Sequence, residues 1–165
     1  MRTSTPDRLL EIYLADHVAA SGAGVALARR SAQSNAGTEL GEALRRLAAE
    51  IEDDRRTLQA IVADLGFRES KAKGAVAWFG DKLGRLKLNG QLRGYSPLSR
   101  VLELETLSVG VAGKLALWQS LRSVPAVGAR LPDYDLDQLA ARARRQRAEI
   151  EAHRLEAARE TFSAP

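Results

Sequence analysis

Between Leu40 and Leu65 the apolar residues Leu40, Leu44, Leu47, Ile51, Leu58, Ile61 and Leu65 recur at spacings of four and three, the repeat of one face of a long helix. One slot of that seam, position 54, holds an aspartate. A carboxylate among apolar neighbours has to be paired, neutral or bound, because a bare buried charge is very costly. The same periodicity predicts a first helix over about 6–34, with Thr5 as N-cap and Pro6 at the first helical position. Leu10, Tyr13, Leu14, Ala20, Gly24 and Leu27 share its inner face with His17. The small residues Ala20, Gly24 and Ala28 predict a close neighbouring helix backbone, as do Gly110 and Gly113 further on.

Asn35-Ala36-Gly37-Thr38 reads as a tight turn, and Gly66 as the stop of a second helix over about 39–65. Helices joined by so short a turn pack antiparallel. His17 and Asp54 lie 19 and 18 residues from position 36, so they come out at nearly the same height in this hairpin. A short helix is predicted over about 71–87 and ended by Asn89-Gly90, and another opens at Ser96-Pro97 and runs over about 97–122. The latter carries two apolar seams, Val101/Leu104/Val111/Leu115/Trp118 and Leu98/Leu102/Val109/Ala112/Ala116, the second also holding Glu105. After a connection from Ser123 to Pro132 without evident structure, Asp135 with Gln138 starts a last helix over about 136–160. Its stripe of Leu136, Leu139, Ala143, Gln146, Ile150, His153 and Ala157 contains two polar residues.

The predicted fold is therefore all-α and occupies one domain over 1–165: two antiparallel helical hairpins form a four-helix bundle, joined by a long crossover with an additional short helix. Composition agrees. Alanine, leucine, arginine and glutamate dominate, and 165 residues suit one domain with a real core. There is no cysteine, which excludes disulfides, thiolate metal sites and a cysteine nucleophile. The first residues lack the apolar core of a signal peptide, and no run approaches the ~18 apolar residues of a membrane span, so a soluble, cytoplasmic protein is expected. No phosphate loop, nucleophile elbow or triad spacing is present.

The hairpins, the crossover and an inward polar residue on each long helix resemble the ferritin-like superfamily, in the style of its small bacterial members of undefined function. The resemblance spans about 6–160. Its di-iron members use a glutamate from each of two helices and a Glu-x-x-His pair from each of the other two. Carried onto this chain, the first position falls to Asp16 or His17; the second helix offers Glu50-x-x-Asp53, with Asp54 better placed on the seam. The third offers Glu105, and the fourth reads Gln146-x-x-Glu149 followed by His153. The metal-ligand set implied by the resemblance is thus His17, Glu50, Asp54, Glu105, Glu149 and His153, for iron or manganese. Neither Glu-x-x-His pair is complete. Parallel running of the second and third helices places Asp54 nearer Lys114 than Glu105, so a His17–Asp54 group with Lys114 and Gln146, and a Glu105–His153 group, are the alternative to one centre.

Net charge is +4, with eight basic and two acidic residues between Arg68 and Arg100, so that segment carries +6 and the remainder −2. Three readings stay open for it: a phosphate-binding surface for nucleic acid, a basic amphipathic helix on an anionic membrane, or a cover over one bundle face, the last being the default. The expected function is a non-enzymatic interaction or self-associating module, as a homo-dimer. The alternative is a carboxylate/histidine metal-binding protein of di-iron or di-manganese type with a redox or storage role.

Overall fold

The structure, a computed structural model, describes residues 5–67 and 95–163. Every regular element among them is helical: α1 (Thr5–Ser34), α2 (Glu39–Asp64), α3 (Pro97–Ser123), the single-turn α4 (Pro125–Gly128) and α5 (Leu136–Phe162). The short helix expected over 71–87, the Asn89-Gly90 stop and most of the basic stretch lie outside the described residues. None of the described helices is long and apolar enough to cross a membrane.

Local chemistry sets the ends. The α1–α2 turn needs Gly37 at φ 81°, and Thr38 caps α2 by accepting from the Gly41 N–H at 3.1 Å. The backbone folds back so tightly there that a Cβ on Gly41 would meet the Asn35 carbonyl oxygen at 2.1 Å. Gly66, at φ 74°, turns the chain out of α2 while the Phe67 N–H reaches the Val62 carbonyl at 3.1 Å. Ser96 with Pro97, and Asp135 with Gln138, cap α3 and α5 as the sequence implies. Within the 123–132 connection, expected to lack structure, Pro125 opens the single turn of α4.

The four long helices pack with every neighbouring pair antiparallel. α1 and α2 form one hairpin; α3 and α5 form the other, from Arg122–Asp137 at one end to Arg100–Glu160 at the opposite end. Tyr13 with Ser120 and Arg30 with Glu103 fix α1 against α3, and Arg46 with Glu149 and Asp64 with Tyr134 fix α2 against α5. α2 and α3 therefore run parallel across the diagonal. The α2 seam is inward as spaced: Leu44, Leu47, Ile51, Leu58, Ile61 and Leu65 are all buried, and Asp54 with them. Trp118, Leu14, Ile61, Leu104 and Ile150 are among the fully buried anchors, each contributing about 1.5–3 kcal/mol through apolar surface removed from water.

Helix α3 departs from expectation. Its first seam is buried except for the partly buried Leu115, but Leu98 and Val109 are 37% and 42% exposed and Glu105 is exposed. The second buried flank runs instead through Glu103, Thr106, Leu107, Ser108, Leu117 and Leu121. An apolar residue on a helix surface carries little cost, so hydrophobicity alone did not mark the inner side.

Candidate functional site

Two carboxylates are buried among the described residues, and each is neutralised by its surroundings. Glu103 on α3, 4% exposed, takes the Arg30 guanidinium on one oxygen (Nη2 at 2.8 Å, Nε at 3.2 Å) and the hydroxyls of Ser31 (2.7 Å) and Tyr95 (3.0 Å) on the other. The Asn35 side-chain amide donates to Tyr95 Oη at 3.1 Å, closing the cluster around the end of α1. Burial, with the Glu103 charge alongside, pushes the Tyr95 phenol up to about 12 against the Asn35 hydrogen bond.

Asp54, 2% exposed, is the centre of the second cluster. Lys114 Nζ and Gln146 Nε2 donate to its Oδ2, and Arg142 Nη2 donates to its Oδ1. Gln146 is fully used: its Nε2 also donates to Glu50 Oε2 at 2.9 Å, and its Oε1 accepts from Lys114 Nζ at 2.5 Å. Burial pulls the Lys114 ammonium below its ordinary value, with Asp54 acting in the opposite direction. The network spans α2, α3 and α5. The α2–α5 contact is accordingly a polar seam bridged by long side chains.

A cavity of about 290 Å³ opens beside this network, between α1, α2 and α3. Its α1 wall runs from His17 to Leu27, about 15 Å of helix. Ile51, Leu58, Leu107 and Leu117 make most of the lining apolar, and Asp54, Lys114 and Trp118 reach it from the far side. Gly24 and Gly113 line it too. A Cβ built on either would meet none of the described residues within 4 Å. The glycines expected to bring helix backbones together thus leave space between them, and that expectation is corrected. His17 packs edge-on to Tyr13 with ring centroids 4.7 Å apart, and burial holds its imidazole below the ordinary histidine range against the opposing charge of Asp16.

The six residues implied as metal ligands are not brought together. His17 and Asp54 share the cavity, as their matched heights required, while Asp54 faces Lys114, Arg142 and Gln146. Glu50 is exposed and engaged by Gln146, and Glu149 is exposed and paired with Arg46 at 3.4 Å. Glu105 is exposed on α3; His153 lines a separate groove with Asn35, Arg100 and Glu160 at the opposite end of the bundle. Among the described residues no group of three or more His, Cys, Asp or Glu side chains could hold a metal ion. A dinuclear centre needs carboxylate oxygens free to bind cations, and here both Asp54 oxygens already accept from cationic side chains. The donor set does not fit iron or manganese.

Sequence reasoning placed Lys114 and Gln146 beside Asp54. It missed Arg142, which lies one helical turn before Gln146, and the whole Glu103 cluster. Arg30-Ser31 at the end of α1 was the available signal for the latter, since antiparallel packing of α1 on α3 carries them to the start of α3.

No protein-family model, no curated protein and no solved structure matches the chain. Fold and site define an all-helical protein with an ion-paired interior and an apolar cavity against it.

Proposed function

We propose that the chain is a non-enzymatic interaction module on the ferritin-like four-helix arrangement, and that its partner is a small, largely apolar molecule held in the cavity between α1, α2 and α3. Antiparallel neighbours and the long 65–96 crossover between diagonal helices support the arrangement. The observation that carries the binding reading is the pair Gly24 and Gly113. Glycine in a helix interior costs about 0.5–1 kcal/mol relative to alanine, and none of the described residues occupies the space a Cβ would take at either position. Two such glycines facing one cavity keep room for something other than the protein. The volume is about twice the ~150 Å³ apolar cavity that admits benzene. Redox or storage chemistry with iron or manganese finds no donor set among the described residues. Among the described residues the exposed large apolar side chains are scattered: Leu9, Ile12 and Val124 lie at one end of the bundle, Leu98, Leu155 and Phe162 at the other, and Val109 between them, so they support self-association through one face less well.

Calorimetric titration of the full chain with butylbenzene tests the reading. Saturable one-to-one binding, weakened at least tenfold by Gly113→Leu, is expected. Absence of binding, or equal affinity in the Gly113→Leu variant, would overturn it.

A further inference from the structure

Arg55 follows Asp54 on α2 and lies on the wall of the same cavity. Its side chain reaches across to α1, where a Cβ on Gly22 would stand 3.8 Å from Nε. No N–H of this guanidinium donates a hydrogen bond among the described residues. Nε is buried, while the two Nη nitrogens keep accessible surface on a side chain that is 31% exposed. Among the described residues, Glu52 is the one carboxylate within ion-pair distance, at 3.8 Å from Nη1 and so beyond hydrogen-bond reach. Glu52 is already bonded to Arg29 at 3.0 Å. The separate groove that Arg29, Glu52 and Arg56 line does not include Arg55.

Charge around the cavity favours an anion. Asp54, with both oxygens occupied by Lys114 and Arg142, and Glu50, reached through Gln146, balance those two cations. Glu52 faces two cations, Arg29 and Arg55, so one positive charge is left unmatched there. A single carboxylate would cancel it, whereas a dianion would add a second charge with no partner. A headgroup at the accessible Nη nitrogens keeps contact with water, which spares it the full cost of burial. The guanidinium fork also suits a carboxylate, which it can hold through two parallel hydrogen bonds.

Resting on the cavity reading above, we infer that the ligand is an amphipathic monocarboxylate, with its apolar body in the cavity and its carboxylate on the Nη nitrogens of Arg55. Ile51, Leu58, Leu107 and Leu117 receive the body, and the size of the cavity suits a ring with a short chain. Arg55 then separates an acid from a hydrocarbon of equal size, because the charge-assisted hydrogen bonds are open to the acid alone.

4-Phenylbutanoate, 4-phenylbutanamide and butylbenzene share one outline and end in a charged, a neutral polar and an apolar group. In calorimetric titration of the full wild-type chain, the carboxylate is expected to bind at least fivefold more tightly than either of the others. Arg55→Gln should bring that preference below twofold while butylbenzene still binds. Arg56→Gln removes a cation paired with Asp53 outside the cavity and should leave the preference intact. The side-chain nitrogen resonances of Arg55 in the wild type should shift further with the carboxylate than with butylbenzene, a readout that needs no variant. A wild-type preference under fivefold, a preference of twofold or more in Arg55→Gln, an equal loss in Arg56→Gln, or Arg55 resonances that respond to both ligands alike would each overturn the inference, while binding of butylbenzene leaves the cavity reading in place. Failure of all three compounds to bind would overturn both.

Discussion

Lys114 and Asp54, sixty positions apart in sequence, form a buried ion pair across α3 and α2, and Gln146 from α5 bonds to both. This three-helix junction has a definite energetic signature. Replacing Asp54 by alanine leaves Lys114 and Arg142 facing each other with no carboxylate between them, a loss of about 3–5 kcal/mol for breaking a buried pair. Replacing Asp54 by leucine together with Lys114 by methionine removes both charges and keeps apolar volume. Urea unfolding should show that the double variant recovers at least half of the single-variant loss. A double variant as unstable as Asp54→Ala would contradict the pairing.

The cavity glycines are expected to stabilise on substitution. Gly24→Ala and Gly113→Ala each place a Cβ in open space and relieve glycine's backbone entropy, so each should raise stability by about 0.5–1 kcal/mol. Gly41→Ala should do the opposite, since its Cβ would meet the Asn35 carbonyl and the α1–α2 turn would have to shift. Thermal unfolding of the three variants separates these outcomes by sign alone.

His17 gives the cavity a pH dependence. Its folded pKa lies below the ordinary 6.5 because burial disfavours the imidazolium. The unfolded chain therefore binds the proton more readily, and the stability contributed by neutral His17 is complete above 6.5 and lost as pH falls through the folded pKa. Proton NMR should find the His17 resonances titrating below 6.5, and His17→Phe should flatten the stability profile across that acid range.

At the opposite end, Glu103 gathers Arg30, Ser31 and Tyr95. Tyr95→Phe removes one hydrogen bond to the carboxylate and one from Asn35 and is expected to cost about 1–3 kcal/mol. Alkaline spectrophotometric titration should lose a phenol that ionises near 12 in this variant.

The helices were legible because α2 and α5 keep a single regular stripe with capping residues at its ends. Asp54 and Gln146 could be picked out for the same reason, as polar residues interrupting that stripe. Glu103 was not legible, because α3 is apolar on nearly every side and its two glutamates differ only by their rotation about the axis. Packing against α1 decided that rotation, turning Glu103 inward to Arg30 and leaving Glu105 exposed. Gly24 and Gly113 were misread for a related reason: a small residue on a helix face serves close packing or empty space equally well, and only the third helix distinguishes them. The cavity itself left no linear pattern, being lined from three helices far apart in sequence.

The most direct test of the cavity as the binding site is the set of intermolecular nuclear Overhauser effects between butylbenzene and the isotope-labelled chain. Contacts to Gly24, Leu58, Gly113 and Leu117 are the expected result. Contacts confined to the exposed Leu9, Ile12, Leu155 or Phe162, with none to those four, would contradict it.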